Sequence, residues 1–243
     1  MVVPVYGNAA TLPELVRRLG AALAGHEWTV RLVVDASPDD SAAAARRLAA
    51  EDRRVVAQVL PRNLGQHGAL TTGLAADADA DVWVCLDADL QDPPEAVPAL
   101  LDRYRAAGPP VAAVFAGRRG SYESLLRLRT GQLHRAVLAR LTGLPPDAGA
   151  FLALGPVARA EVLRLQAPSL VAAVGAARLP TASVPVQRAE RASGRSAWTG
   201  RARLGQSLRT LGWTVRARLV RALPTPACSP RTRSLARSLR RRR

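Results

Sequence analysis

Apolar and polar positions along the first half of the chain alternate between two periods. Short apolar runs of strand length are separated by longer segments in which apolar residues recur at helical spacing. The runs Val2 to Tyr6, Trp28 to Asp35, Arg54 to Leu60, Asp81 to Leu86 and Val111 to Ala116 read as five strands. Between them, Thr11-Leu12-Pro13-Glu14 has the form of a capping box opening a helix to about Ala24. Ser41 is placed to cap an Ala-rich helix ending near Glu51, and Gln66 to about Ala76 continues the pattern. Pro94 opens a further helix to about Ala107. Strands alternating with helices in this way predict an α/β fold, a mostly parallel sheet flanked by helices.

The second half is less regular. Leu125 to Leu141 has helical spacing, Gly149 to Leu154 reads as a short strand, and Pro156 to Leu165 as a helix. Thr181 to Gln187 reads as a strand, and Pro185 within it points to a sheet edge. From Arg201 to Leu223, residues Leu204, Leu208, Leu211, Val215 and Leu219 fall on one stripe, with most arginines elsewhere around the helix. That is a basic amphipathic helix. The expected organisation is a catalytic domain over 1–199, the amphipathic helix over 200–223, and a disordered Arg/Pro-rich tail over 224–243.

Composition changes this picture in three ways. Hydrophobic residues make up 48% of the chain but aromatics only 4%, so the core must be built from Ala, Leu and Val. The net charge is +16, and all 35 basic residues are arginine, a permanently charged side chain that grips phosphate bidentately. From Arg188 to Arg243 the only acidic residue is Glu190, so this region expects an anionic partner. Base-stacking aromatics are not interleaved with the arginines and no helix-turn-helix or zinc pattern occurs, which argues for a membrane surface over nucleic acid. The two cysteines form no disulfide framework, no signal-peptide pattern opens the chain, and no run of about 18 apolar residues occurs. The expected location is cytoplasmic, peripheral to the inner face of the cell membrane.

The chemistry concentrates in Leu86-Asp87-Ala88-Asp89-Leu90-Gln91-Asp92-Pro93-Pro94, directly after an apolar strand. Two carboxylates one residue apart at the edge of an α/β sheet lie where ligands bind. Hard oxygen ligands with room for water and phosphate suit Mg2+ or Mn2+ carrying a diphosphate. Val33-Val34-Asp35-Ala36-Ser37 is a second apolar run ending in an acidic turn. With Pro4-Val5-Tyr6 at the end of the first strand, these segments resemble the glycosyltransferase family 2 catalytic domain. Within that family they are most similar to the dolichyl- and polyprenyl-phosphate sugar transferases. The resemblance runs from about Val2 to about Trp198.

The resemblance implies a GT-A type fold and an inverting, metal-dependent transferase. Such an enzyme moves a sugar from a nucleoside diphosphate sugar to an acceptor, here a polyprenyl phosphate. It implies Asp87, Asp89 and Gln91 as metal-site residues, with Asp87 also toward the ribose. Pro4, Val5, Tyr6, Asp35 and Arg62 would face the nucleotide. Arg118 in Gly117-Arg118-Arg119, and Arg191, Arg195 and Ser196 in the run from Arg188 to Trp198, would hold phosphate oxygens. Asp147, in Asp147-Ala148-Gly149-Ala150-Phe151-Leu152, would be the catalytic carboxylate on the acceptor side, beside Asp87 and Asp89. Five positions depart from the family pattern: Gly7, Asn8, Val34, Ala150 and Leu152. They leave open two alternatives, a soluble transferase to a polysaccharide or small molecule and a nucleotide-sugar-binding protein without turnover.

Overall fold

The structure, a computed structural model, describes residues 1–108, 110–119, 136–188 and 200–222. Seven strands form one sheet among these residues: β1 Val2–Val5, β2 Val30–Val34, β3 Val55–Val59, β4 Trp83–Cys85, β5 Ala113–Arg119, β6 Leu152–Leu154 and β7 Thr181–Gln187. Their order is β3-β2-β1-β4-β6-β5-β7. β1 pairs in parallel with both β2 and β4, while β6 runs antiparallel to its two neighbours, β4 and β5. β7 closes one edge, parallel to β5, where Pro185 is tolerated as the sequence predicts.

Eight α-helices occur among the described residues: α1 Leu12–Ala22, α2 Ser41–Glu51, α3 Gly65–Ala76, α4 Val97–Ala107, α5 over 136–142, α6 Pro156–Leu165, α7 Leu170–Ala177 and α8 Gly200–Ala222. Alternate strand residues point to opposite faces. Val3, Val5, Leu32, Val34 and Val114 enter one core with Leu12, Leu15 and Leu19 of α1, Ala44 of α2 and Leu100 of α4. Val2, Val33, Cys85 and Phe115 enter the other with Leu70 and Leu74 of α3, Val162 of α6 and Ala173 of α7. α3 lies close enough to β1 and β2 that a methyl group at Gly73 would collide with Val2 and meet Val33 Cγ2 at 2.9 Å.

Two predicted caps are used differently. Thr11 precedes α1 but makes no side-chain cap; its hydroxyl donates to the Ala88 carbonyl at 2.7 Å, and Glu14 pairs with Arg17 instead of reaching back. Ser41 is the first residue of α2, and its hydroxyl accepts from the Asn8 N–H at 3.1 Å. In both cases a tertiary partner wins over the local cap. α7, Leu-Val-Ala-Ala-Val-Gly-Ala-Ala, was not expected from the sequence. Five of its eight residues are buried, and Ser169 accepts from the Ala172 N–H to start it.

The C-terminal basic helix forms as α8 and packs on α7, though with an unexpected face. Thr210 and Thr214 are buried and Gln206 donates to the Pro168 carbonyl at 2.6 Å. Leu208 and Val215 of the apolar stripe are 62% and 42% exposed. No helix among the described residues is long and apolar enough to cross a membrane. Most of the helix expected from Leu125 and all of the tail over 224–243 lie outside the described residues.

Candidate active site

The strand order reverses between β1 and β4: one neighbour of β1 follows it in sequence through α1, the other arrives through α3. A crevice at the carboxyl ends of the strands opens at such a point. The loops that leave β1, β2 and β4 meet there and carry the acidic residues singled out by the sequence.

The loop after β1 is fastened to the loop after β2 by three consecutive backbone N–H groups. Gly7 donates to Ser37 Oγ at 2.8 Å, Asn8 to Ser41 Oγ, and Ala9 to Asp39 Oδ2 at 3.1 Å. Partial burial would push the Asp39 carboxyl up. Hydrogen bonds from Ser37, Ser41 and Ala9 outweigh it and hold the pKa at about 2. Tyr6 stands 42% exposed at the mouth of the crevice, and Pro4 is half-buried. Val5 lies between them at the end of β1. Its side chain is fully buried in the core, and its carbonyl accepts from the Asp35 N–H at 3.0 Å. As an inward position of a parallel strand, it has no side chain to offer a ligand.

Asp35 ends β2 and is 3% exposed. Its Oδ1 accepts from the Leu64 N–H at 2.6 Å, and its own carbonyl accepts from Asn63 Nδ2. The carboxylate thereby fixes the turn Arg62-Asn63-Leu64 that leads into α3, and Arg62 itself is exposed on that turn. Ala36 follows with φ +48°, a left-handed conformation that costs a residue with a Cβ.

Asp87 and Asp89 leave β4 on a loop braced from several sides. Thr11 holds the Ala88 carbonyl between them, and Glu95 accepts from Arg18 of α1 at 2.7 and 2.5 Å. Leu90 adopts φ +60° with its side chain buried, a strained turn held by its surroundings. Asp89 Oδ1 accepts from the Gln91 N–H at 3.1 Å. Asp87 Oδ1 accepts from Gln66 Nε2 at 2.6 Å, and its Oδ2 lies 3.6 Å from Arg188 Nη2. Arg188 Nε in turn donates to Asp92 Oδ1 at 2.9 Å, and Asp92 is 2% exposed.

A divalent cation fits the donor chemistry here but not a complete protein cage. Among the described residues no three His, Cys, Asp or Glu side chains gather to hold a metal ion. Two carboxylates and the Gln91 amide give hard oxygen donors and leave the remaining positions to water and phosphate. That is the pattern of Mg2+ or Mn2+ at nucleotide sites.

On the far side of the site, Asp147 lies against bare backbone of β5. A methyl group at Gly117 would collide with the Asp147 carboxylate, and Ser183 Oγ of β7 donates to Asp147 Oδ1 at 3.4 Å. Arg118 is the next residue of β5, in register with Val186. Leu152 is fully buried in β6, so this departure from the family pattern became a core residue. Arg191, Arg195 and Ser196 lie outside the described residues. A cleft of about 560 Å3 lies elsewhere, at the amino end of β7 near Arg140, Arg178 and Arg218.

Gln66, Asp92 and Arg188 were not foreseen. Gln66 sits next to the turn glycine that opens α3, Asp92 lies inside the acidic motif, and Arg188 is the first residue of the basic loop. Each had a positional signal, but the pairing of Asp92 with Arg188 spans 96 residues. His67, next to Gln66 in α3, is half-buried. Burial lowers its pKa against a hydrogen bond with the Ala167 backbone, and its Nδ1 has no partner.

Residues 1–151 match the family model described as glycosyl transferase family 2. The chain is 38% identical over 146 residues to an undecaprenyl-phosphate 4-deoxy-4-formamido-L-arabinose transferase of Klebsiella pneumoniae. It is 40% identical over 147 residues to the enzyme of the same name from Pseudomonas fluorescens. These alignments cover 59% of this chain but only 43% and 42% of the relatives. Among solved structures, a similar fold occurs in glucosyl-3-phosphoglycerate synthase from Mycobacterium tuberculosis in complex with Mn2+, UDP-glucose and phosphoglyceric acid. The TM-score is 0.66 at 20% identity, covering 93% of this chain and 80% of that one.

Proposed function

The chain belongs to glycosyl transferase family 2, and we propose that it transfers a sugar from a nucleoside diphosphate sugar to a polyprenyl phosphate, with inversion and with a divalent cation. One observation carries this reading: Asp87 and Asp89 leave the sheet at its strand-order reversal, on a loop braced by Thr11 and Arg18. The acceptor class rests on the names of the relatives, which act on undecaprenyl phosphate.

In this reading Asp87, Asp89 and Gln91 would hold Mg2+ or Mn2+, which when bound would supply positive charge to offset that developing on the departing diphosphate. Asp35 accepts from a base-ring N–H, with Pro4, Val5, Tyr6 and Arg62 beside the nucleotide, Val5 through its backbone. Arg118, with Arg191, Arg195 and Ser196, binds phosphate oxygens. The acceptor oxygen attacks the anomeric carbon on the face opposite the diphosphate, and the sugar–diphosphate bond breaks as the new bond forms. A phosphate acceptor, with a second pKa of about 6, is largely ionised at neutral pH and needs little help. A hydroxyl acceptor would need a base, and Asp147 is the carboxylate we assign to that role.

The exposed apolar positions of α8, interspersed with Arg209 and Arg216, suit the surface of an anionic membrane at its inner face. The test is turnover of a panel of nucleotide sugars with Mg2+ or Mn2+, with and without a short polyprenyl phosphate, in wild type and Asp89→Ala. Transfer that needs metal and lipid phosphate and vanishes in the variant supports the reading. Transfer to a soluble acceptor alone favours the soluble transferase. Donor binding without any turnover replaces the enzyme by a nucleotide-sugar-binding protein.

A further inference from the structure

Arg188 opens the basic run but was given no role of its own above, yet its guanidinium reaches the acidic loop. It follows β7 directly, its side chain is 10% exposed, and it spans two carboxylates. Nε donates to Asp92 Oδ1 at 2.9 Å, while Nη2 lies 3.6 Å from Asp87 Oδ2. The other Asp87 oxygen is held by Gln66. Both oxygens of the carboxylate expected to take a metal therefore already face protein donors.

Asp92 carries a second anomaly. Its Oδ2 is buried and has no hydrogen-bond partner. Buried carboxylate oxygens are ordinarily satisfied, and an exception calls for a reason. The Asp92 Oδ1 beside it already holds Arg188 through Nε, so the guanidinium is anchored on the same carboxylate. Turning the guanidinium about that Nε contact would take Nη2 from Asp87 to Asp92 Oδ2. The result is the two-bond fork in which arginine binds carboxylates best.

We propose that Arg188 is a built-in counter-cation of the metal site, shared between Asp87 and Asp92. In one arrangement it neutralises Asp87; in the other it forks onto Asp92 and leaves Asp87 Oδ2 to a divalent cation. Asp92 is thus a positioning residue that supplies the second berth, and Arg188 sets the metal affinity of the site. The inference rests on the metal-site reading of Asp87 and Asp89.

The experiment is titration of the full chain with Mn2+ in the absence of donor, followed by electron paramagnetic resonance of the unbound ion, with circular dichroism to confirm folding. Arg188→Gln alone would strand a buried carboxylate, so the informative variant is the double substitution R188Q/D92N, which removes both charges together. With its competing cation gone, R188Q/D92N is expected to bind Mn2+ at least about threefold more tightly than wild type. D92N alone keeps the cation but loses an anionic berth for it, and is expected to bind Mn2+ more weakly. These opposite directions are the signature of competition, since a residue that only stabilises the loop would weaken binding in both. Weaker or unchanged binding in R188Q/D92N overturns the proposal. D89A separates the two levels. Wild-type binding that survives D89A removes the metal-site reading and the inference with it. Binding that is lost in D89A but not tightened in R188Q/D92N removes the inference alone.

Discussion

Gly117 and Asp147 touch where β5 has no side chain to keep them apart: a methyl group at 117 would collide with the Asp147 carboxylate and come within 2.6 Å of Ser183 Oγ. The glycine is there for its missing Cβ, since β5 runs as an ordinary strand paired with β7 on this side. The carboxylate meets the strand at the residue just before Arg118.

Gly117→Ala therefore tests the acceptor side. The added methyl forces Asp147 or Ser183 to move and is expected to cost about 1–3 kcal/mol of stability. Displacing the carboxylate by about 1 Å is expected to lower transfer by about 100-fold where Asp147 takes part in it. Nucleotide binding at the β1, β2 and β4 loops should be little changed. Denaturant unfolding, transfer assays and calorimetry with a nucleoside diphosphate measure the three. Transfer unchanged in a folded variant removes Asp147 from the mechanism.

Ala36→Gly is expected to stabilise the protein. Ala36 holds φ +48°, and its N–H donates to the Val34 carbonyl at 3.1 Å, so the turn is imposed by neighbours. Relief of the left-handed penalty, about 1–2 kcal/mol, exceeds the added unfolded-state entropy of glycine, about 0.4–1 kcal/mol. The net gain should be about 0.5–1 kcal/mol, seen as a higher urea midpoint with an unchanged slope. A lower midpoint would mean that the Ala36 methyl contributes more packing than strain.

What the sequence made legible was whatever depends on local period. The strands around Val33, Val84 and Val114 and the helix Pro156–Leu165 were readable because their apolar positions repeat at two residues or at helical spacing. α7 escaped because Leu170 to Ala177 has no polar face, so nothing distinguishes a buried helix from a buried strand. Thr11 and Ser41 misled because their hydroxyls bind Ala88 and Asn8 across the crevice, contacts no local pattern encodes. The acidic motif was legible as chemistry. Its bracing by Arg188 was not, since that partner arrives from the far end of the sheet. The periodicity of α8 could not say which way its apolar positions turn, toward the protein or away; Leu208 and Val215 are exposed.

Thr11→Val tests the bracing of the motif. The substitution keeps the shape but leaves the Ala88 carbonyl, 77 residues distant, without its hydroxyl donor. Loss of this buried hydrogen bond is expected to cost about 1–3 kcal/mol. Because Ala88 lies between Asp87 and Asp89, Mn2+ affinity should fall together with stability. A variant destabilised with metal affinity intact would show that the loop holds its shape by other contacts.

The Asp39 carboxylate makes an acid-dependent contribution with a definite sign. Its folded pKa of about 2 lies below the ordinary 3.8. The stabilisation is therefore present above pH 3.8 and is lost as pH falls through about 2. Asp39 is largely exposed, so after allowance for solvent screening the contribution is about 1 kcal/mol. Asp39→Asn should be less stable than wild type by that amount near neutral pH, and the two should converge in strong acid. A constant gap across the whole range would mean that shape, not charge, fastens the loops after β1 and β2.

The outward face of α8 yields the last expectation. Leu208 and Val215 lie two helical turns apart and are 62% and 42% exposed, while Gln206 donates to the Pro168 carbonyl just before α7 and Thr210 and Thr214 are buried on another side. Substituting both exposed positions by Glu leaves that packing intact, so stability should change by no more than about 0.5 kcal/mol. At an anionic bilayer the same change removes buried apolar area and adds repulsion, and should weaken vesicle binding by at least about tenfold. Sedimentation with vesicles containing phosphatidylglycerol, compared with neutral vesicles, reads this directly. Arg209→Ala with Arg216→Ala should lose the preference for anionic lipid while keeping part of the apolar attachment. If L208E/V215E binds anionic vesicles as well as wild type does, the exposed stripe is not the membrane-facing surface, and the attraction must come from arginines elsewhere in the chain.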